Sequence, residues 1–179
     1  MLIPVKAFSL AKLRLSPVLS DRERRDLARR MATHVVSSAA PLPVAVVCDD
    51  DEVAAWAESV GARVLWEPGQ GLNNAVASGV ARLARDGTDV VIVAHADLPH
   101  AGPLAWLAEF DGITLVPDHR DDGTNVLCVP ATAGFRFAYG PGSFARHQAE
   151  AERLGLPMRV VREPGLSHDV DEPSDLTSA

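Results

Sequence analysis

The sequence predicts an α/β fold, a three-layer sandwich in which helices cover both faces of a mixed, mostly parallel β-sheet. Short runs of β-branched and other apolar residues alternate about four times with segments of helical periodicity, which is the pattern of repeated βα units. The polar turn Asp121-Asp122-Gly123 then joins two apolar runs and predicts an antiparallel hairpin. The 179 residues suffice for a single domain that spans residues 1–179.

Composition and charge exclude several classes of protein. The formal net charge of −7 argues against a partner that is a nucleic acid or a membrane surface, since binding either needs a basic face. No apolar run reaches the length of a transmembrane helix or a signal peptide, so we expect a cytoplasmic protein. Cys48 and Cys128 lie in predicted strands without metal-binding spacing, which favours buried reduced thiols over a disulfide.

The first predicted strand, residues 2–5, leads into a loop that is locally basic in an acidic protein. This loop carries Lys6, Lys12 and Arg14. A loop after the first strand of an α/β sheet is a common place for phosphate groups to bind. It lacks the glycine patterns of the P-loop and of the dinucleotide fold, so phosphate binding would depend on side-chain charge. A solvated basic turn is the alternative interpretation.

The next elements follow from capping signals and strand patterns. The run Ser20-Asp21-Arg22-Glu23 has the form of a capping box and predicts the start of the first helix. A second buried strand is expected at residues 44–48. The acidic run at residues 49–52 then opens a second helix, where negative charge favours the helix dipole. We therefore interpret most of that acidic run as structural and not as a metal site.

A loop with two functional candidates follows the third predicted strand, residues 62–66. Gly71 lets a backbone approach a planar or phosphorylated ligand closely, and the Asn73 amide can bind a base edge. The alternative is a turn in which an asparagine caps a helix over residues 74–85. The sequence alone leaves both interpretations open.

The fourth strand gives the strongest candidate for chemistry. The run from Val90 is rich in β-branched residues and predicts a strand buried on both faces. Pro99 cannot continue a central strand, so the strand is expected to stop at about Asp97. Ligands of open α/β sheets bind at this carboxyl edge, where Asp97 could hold a metal ion. Asp97 could equally be the N-cap of the next helix.

The last third of the chain adds two further candidate segments. A helix is expected over residues 102–107, a strand over 113–116 and a last strand over 158–161. Glycines precede Ser143, which we expect to cap a helix that runs to about Leu154 and to form an anion site there. Alternation along an extended tail places Asp169 and Asp171 on the same side of the chain.

Several segments together resemble one known family over residues 2–176, the guanylyltransferases of coenzyme F420 biosynthesis that use 2-phospho-L-lactate or phosphoenolpyruvate. The segments that carry the resemblance are Ile3-Pro4-Val5-Lys6, Ala11-Lys12 with Arg14-Leu15, Gly71-Leu72-Asn73, Ala96-Asp97-Leu98-Pro99, Asp122-Gly123-Thr124-Asn125, residues 135–143 and Asp169-Val170-Asp171. The wider relatives are nucleotidyltransferases of the glycosyltransferase-A-like fold. Those usually have a glycine-rich first loop, where this chain has Lys6-Ala7-Phe8-Ser9.

The resemblance implies that GTP condenses with phosphoenolpyruvate to give enolpyruvoyl-2-diphospho-5'-guanosine and pyrophosphate. It implies Mg²⁺ as cofactor, with Asp97 and Lys12 as catalytic residues. The metal ligands would be Asp97, Asp169 and Asp171; the acid substrate would contact Thr124, Gly140 and Ser143; and the nucleotide would contact Lys6, Lys12, Arg14, Gly71 and Asn73. The nearby His95, His100 and His168 would be supporting or surface groups, because Mg²⁺ is a poor match for imidazole.

Other functions remain open from the sequence. The acid could be 2-phospho-L-lactate or 3-phospho-D-glycerate, although an Ala- and Arg-rich chain is typical of high-GC bacteria, which the resemblance associates with phosphoenolpyruvate. A second alternative is a nucleotidyltransferase that acts on a molybdenum cofactor or a sugar phosphate. A third is a non-catalytic nucleotide-binding domain. The oligomeric state is also open, a homodimer being one assembly compatible with the sequence.

Overall fold

A computed structural model describes residues 1–178, with side chains described through Leu176. The seven strands are β1 (Leu2–Pro4), β2 (Ala45–Cys48), β3 (Arg63–Trp66), β4 (Val90–Ala94), β5 (Ile113–Pro117), β6 (Thr124–Pro130) and β7 (Met158–Val160). The α-helices are α1 (Asp21–Ser38), α2 (Asp51–Ser59), α3 (Gly71–Arg85), α4 (Ser143–Leu154) and the single-turn α5 (Pro164–Ser167). Short 3₁₀ helices occur at Phe8–Leu10, Leu13–Leu15, Ala105–Glu109 and Pro173–Ser178.

All seven strands form one sheet in the order β3-β2-β1-β4-β6-β5-β7. Neighbouring strands are parallel except at the two pairs that involve β6, which runs against both β4 and β5. The predicted hairpin is therefore confirmed as β5–β6. One reversed strand in a parallel sheet also places the start of β6 at the same edge as the ends of its neighbours.

The hydrophobic core lies on both faces of the sheet. On one face α1 and α2 pack against β1 and β2, with Ile3, Val35 and Trp56 in a shared cluster. On the other face α3 packs against β1–β4, and α4 packs against β5 and β6. The three-layer α/β sandwich with a mixed, mostly parallel sheet is thus confirmed. No helix among the residues described is long and apolar enough to cross a membrane.

The capping box at the start of α1 is confirmed in both directions. The Ser20 hydroxyl accepts a hydrogen bond from the Glu23 amide at 3.4 Å, and the Glu23 carboxylate accepts one from the Ser20 amide at 2.8 Å. The acidic run before α2 also has the expected structural use, since the Asp50 side chain caps that helix at the Val53 amide. Cys48 and Cys128 are both free and buried, as predicted.

Several predicted boundaries were wrong. Strand β4 ends at Ala94 and not at Asp97, and the expected helix over residues 102–107 is a 3₁₀ helix at Ala105–Glu109. Helix α3 begins at Gly71, so an asparagine does not cap a helix that starts at residue 74. Gly142, with a φ of 71°, is the N-cap of α4 in place of Ser143. A left-handed residue turns the chain into the helix there, which glycine does at little steric cost.

Candidate active site

A cavity of about 780 Å³ opens at the carboxyl edge of β1–β4. The parallel strands end at this edge, so the loops that follow them converge on it. The cavity walls include Val5 after β1, Asp49 after β2, Glu67 after β3 and His95 after β4. Among the predicted site residues, those that line it are Lys6, Lys12, Arg14, Gly71, Asp97 and Asp171. The structure thus brings together the candidates for phosphate, base and metal binding.

Three carboxylates meet beside this cavity. Asp97, Asp169 and Asp171 each offer an oxygen that lies within 4.8 Å of the others. Between the two tail aspartates, the Val170 side chain is fully buried and its amide donates a hydrogen bond to the Asp97 carbonyl at 3.3 Å. The tail is therefore fastened to the loop after β4, and alternation turns both tail carboxylates toward Asp97, as the sequence predicts.

The Lys12 ammonium lies between two of these carboxylates. Its Nζ atom is 2.5 Å from Asp97 Oδ2 and 2.8 Å from Asp171 Oδ1, and its side chain is 9% exposed. Arg14 lies farther out, at 3.7 Å from Asp171, and its side chain is 70% exposed. Lys12 is thus held inside the acidic cluster, whereas Arg14 can move freely toward a ligand.

The backbone of the basic loop is unusual at Lys12. This residue has a φ of 55° and a ψ of 38°, the left-handed conformation that non-glycine residues rarely adopt. The buried Arg24 of α1 supports the loop by donating a hydrogen bond to the Ala11 carbonyl at 2.8 Å. Left-handed non-glycine residues persist where the surroundings hold them, and they concentrate at functional sites. Here the geometry aims the Lys12 side chain at the carboxylates.

The electrostatics of the cluster depend on Lys12. Burial lowers the pKa of the Lys12 ammonium, but the carboxylates of Asp97 and Asp171 outweigh burial and raise it well above its ordinary value. Burial likewise raises the pKa of Asp97, but the Lys12 ammonium, together with His95 and hydrogen bonds, outweighs burial and lowers it. The pKa of Asp169 is raised by burial and by its two acidic neighbours. The site is therefore richer in negative charge than its one buried lysine can neutralise.

Two side chains, of Asn125 and Asp175, support the tail through contacts that the sequence did not predict. Asn125 donates hydrogen bonds to the Leu166 carbonyl at 3.1 Å and to Asp169 Oδ1 at 3.4 Å. Asp175 accepts hydrogen bonds from the amides of Asp171 and Glu172 at 2.9 and 2.7 Å. The spacing from Glu172 to Asp175 is typical of local side-chain capping and could have indicated that contact. Asn125 lies within a strand and had no such signal.

The residues predicted for the acid substrate form a second group, outside the walls of the cavity. Thr124 and Ser143 are each 1% exposed, whereas Gly140 is exposed with a φ of 113°. The Asp122 carboxylate and carbonyl accept hydrogen bonds from the Gly142 and Phe144 amides, both at 3.0 Å. The β5–β6 hairpin therefore holds the turn that precedes α4.

Asn73 contacts protein backbone. Its Oδ1 accepts a hydrogen bond from the Tyr139 amide at 2.6 Å, and its Nδ2 donates one to the Tyr139 carbonyl at 3.4 Å. Both ends of the amide are thus paired with one residue of the segment before α4. Gly71 starts α3 with a φ of 68° and an open side toward the cavity, which suits the predicted close approach of a ligand.

The histidines lie around the site. His95 lines the cavity, and its buried Nε2 atom has no hydrogen-bond partner within the part of the chain that the structure describes. His100 and His168 stack with ring centroids 5.7 Å apart. His119, which we did not single out from the sequence, has its Nδ1 atom 3.9 Å from Asp169 Oδ1. That His95, His100 and His168 are supporting or surface groups stays a prediction.

Comparisons with known proteins agree on one family. The model of the family described as "Guanylyl transferase CofC like" matches residues 1–179. The phosphoenolpyruvate guanylyltransferase of Sphaerobacter thermophilus is 38% identical, over 97% of this chain and 88% of that protein. The enzyme of the same name from Roseiflexus castenholzii is 34% identical, over 98% and 84%. A solved nucleotidyl transferase from Methanothermobacter thermautotroptrophicus superposes with a TM-score of 0.68 at 19% identity, over 99% of this chain and 95% of that chain, which shows the fold.

The buried lysine generates a testable prediction about stability. We expect Lys12→Met to lower the free energy of unfolding by about 2 to 3 kcal/mol, because it leaves carboxylates partly buried without their cation. Adding Asp97→Asn to that variant should recover part of the loss, since it removes one of the unpaired charges. Urea unfolding at pH 7 measures both effects. The matched control is Lys6→Met at an exposed position of the same loop, and an equal loss there would contradict the prediction.

Proposed function

Because the chain belongs to the CofC-like guanylyltransferase family, we propose that it transfers the guanylyl group of GTP to phosphoenolpyruvate. The products would be enolpyruvoyl-2-diphospho-5'-guanosine and pyrophosphate, as in coenzyme F420 biosynthesis. One observation at the site carries the proposal. Three carboxylates meet at the wall of a nucleotide-sized cavity, and Lys12 pairs with two of them. The buried reduced cysteines support a cytoplasmic location for this enzyme.

The reaction needs no protein nucleophile. A phosphate oxygen of the acid attacks the α-phosphorus of GTP, a P–O–P bond forms, and the bond from the α-phosphorus to the bridging oxygen of pyrophosphate breaks. A phosphate monoester has a second pKa of about 6, so the attacking oxygen is already largely ionised near neutral pH. The protein must instead bring two anions together and stabilise the charge that develops on the leaving group.

Side chains along the cavity fit that task. Lys6 and Arg14 are exposed cations on the loop after β1, within reach of the triphosphate of a nucleotide in the cavity. Lys12 is the buried cation of the same loop and would neutralise the charge near the reacting phosphorus. Gly71 would let the ligand approach the start of α3, where backbone amides point outward. Removing the exposed charges of Lys6 and Arg14 would raise the activation barrier more than it would destabilise the fold.

We further propose that Asp97, Asp169 and Asp171 hold Mg²⁺. The donor set fits, because three carboxylate oxygens meet within 4.8 Å and Mg²⁺ prefers oxygen ligands. The Oδ1 atom of Asp97 is buried and without a hydrogen-bond partner among the described residues, which leaves it free to bind a cation. When bound, the ion would supply charge neutralisation and orientation of the phosphoryl oxygens.

The choice of acid rests on the relatives. Four relatives that match over most of the chain, at 31–38% identity, are each named phosphoenolpyruvate guanylyltransferase. Phosphoenolpyruvate and 2-phospho-L-lactate differ by two hydrogens, which make C2 and C3 trigonal in the first and tetrahedral in the second, so the site must discriminate a small difference in shape. Thr124, Gly140 and Ser143 are the proposed contacts of the acid, on the side of the carboxylates where β6 begins.

The first test is a pyrophosphate-release assay with GTP and Mg²⁺. We expect turnover with phosphoenolpyruvate, and at least about tenfold lower kcat/KM with 2-phospho-L-lactate and 3-phospho-D-glycerate, since these acids differ from it in shape or in polar groups near the reacting phosphate. A reaction without any acid is the control. A higher kcat/KM with another acid would refute phosphoenolpyruvate as the preferred substrate. No pyrophosphate release with any acid would refute the proposed activity.

The second test concerns Asp97. We expect Asp97→Asn to lower kcat by about a thousandfold or more, because it removes a proposed metal ligand and the partner of Lys12. Asp111→Asn, an exposed aspartate before β5, is the matched control and should retain wild-type kcat. Steady-state assays with circular dichroism on each variant separate lost chemistry from lost structure. Near wild-type activity of Asp97→Asn would mean that Asp97 is not a catalytic ligand.

The third test addresses the metal. In the wild-type protein an added divalent ion competes with the Lys12 ammonium for Asp97 and Asp171. We therefore expect Lys12→Met to bind Mg²⁺ about tenfold more tightly in the absence of nucleotide, and to gain more thermal stability from it, since a tighter ligand stabilises more. Titration calorimetry and thermal unfolding give the two readouts. Lys6→Met should bind Mg²⁺ like the wild type. Equal affinity in all three proteins would refute competition between Mg²⁺ and Lys12, and no Mg²⁺ binding in any of them would refute the metal site.

A further inference from the structure

The segment before α4, residues 138–143, is held from three directions; we call it the acid loop. Asn73 of α3 pairs with both backbone groups of Tyr139. The fully buried His147 accepts a hydrogen bond from the Ala138 amide at Nε2, at 3.0 Å. The Arg146 guanidinium donates to the carbonyls of Ala138 and Pro141 at 2.8 and 2.7 Å. Side chains thus satisfy most of the polar groups of this loop.

The hydrogen bonds of His147 also fix its tautomer. A backbone amide can only donate, so Nε2 must be the bare nitrogen and Nδ1 must carry the hydrogen. Nδ1 then donates to the Thr124 hydroxyl at 3.0 Å. Burial lowers the pKa of His147 to about 4, so the ring is neutral near neutral pH and this arrangement persists. The contact joins the acid loop to the first residue of β6.

One backbone amide of the acid loop has no acceptor among the described residues. The amides of Ala138, Tyr139, Gly142 and Ser143 each donate within the protein, to His147, Asn73, Asp122 and the Gly140 carbonyl respectively. Pro141 has no amide hydrogen. Among the described residues none accepts from Gly140, which is exposed and has a φ of 113° that other residues rarely adopt. Gly140 is therefore the exposed residue of the loop whose backbone amide is unpaired among the described residues.

We propose that Asn73 is a positioning residue for the acid substrate: it holds the acid loop so that the Gly140 amide faces an anionic group of the phosphorylated acid, and it does not read the guanine base. This inference rests on the proposed function, and it replaces the base contact that the family resemblance implies for Asn73. The two hydrogen bonds with Tyr139 fix the orientation of the Asn73 amide, so turning its remaining N–H and lone pair toward a base would break the 2.6 Å hydrogen bond. His147 holds the same loop through its hydrogen bond with the Ala138 amide.

The test separates acid binding from base recognition. We expect Asn73→Ala to raise the KM for phosphoenolpyruvate by at least about fivefold, as loss of a preorganised hydrogen bond to an anion does. The KM for GTP and the preference for GTP over ATP in kcat/KM should stay within about twofold of the wild type. His147→Gln should give the same pattern. The matched control is Asn74→Ala, at the exposed neighbouring position of α3, which should change neither quantity.

The outcomes are distinguishable. A wild-type protein that turns over no acid refutes the proposed function and this inference with it. An active wild type whose Asn73→Ala variant loses the preference for GTP over ATP, with the KM for the acid unchanged, overturns the inference alone and assigns Asn73 to the base. The inference is also overturned if Asn73→Ala leaves both the KM for the acid and the preference for GTP over ATP unchanged.

A measurement on the wild-type protein covers the case in which Asn73→Ala fails to fold. In ¹⁵N-labelled protein, phosphoenolpyruvate added without GTP should shift the amide resonance of Gly140 more than those of Ala138 and Tyr139, which already donate within the protein. The His147 ring should report hydrogen on Nδ1. An unshifted Gly140 amide, or hydrogen on Nε2 of His147, would overturn the inference.

Discussion

The contact of one ammonium group with two carboxylates governs the candidate site. Lys12 lies between Asp97 and Asp171, and Asp169 adds a third negative charge within 4.8 Å. Carboxylates at such distances repel one another, so a cation must be present for the tail to pack against the loop after β4. The fold provides that cation from the loop after β1, at the cost of a left-handed backbone at Lys12. The Lys12 ammonium and its carboxylate partners thus stabilise the nucleotide-free protein, and they are also the groups proposed to act on GTP.

This arrangement explains how distant parts of the chain share one site. The tail returns to β4 through the buried Val170 and the capping carboxylate of Asp175, and the acid loop is fastened to α3 by Asn73. The connections made by Asp175 and Asn73 pair a side chain with backbone groups, and Val170 adds a backbone hydrogen bond to Asp97, which is how loops become rigid without secondary structure. Rigid loops keep charged groups in place before the substrates arrive, and preorganisation of that kind is the main resource of a phosphoryl-transfer site.

Sequence patterns were sufficient for the architecture, because the periods of strands and helices are local properties. The hairpin, the capping box at Ser20 and the common side of Asp169 and Asp171 followed from short-range rules. Two of the four boundary errors arose where a single glycine decided the geometry, at Gly71 and Gly142. Pairings such as Asn73 with Tyr139 could not be predicted from one sequence, because they join residues 66 positions apart. The sequence predicted that Asp97 would share a site with Asp169 and Asp171, whereas the ion pairs of Lys12 with Asp97 and Asp171 were not predicted.

The reversed direction of β6 has a consequence for how such enzymes diversify. Its neighbours contribute to the site from the loops after their last residues, whereas β6 contributes from its first residues, Thr124 and Asn125, directly after the hairpin turn. A change in that turn would therefore alter residues that are proposed to contact the acid, while the loops after β1 and β2 lie elsewhere in the chain. On the proposed function, most contacts to the acceptor and most contacts to the nucleotide belong to separate stretches of the chain, and Asn73 links the two.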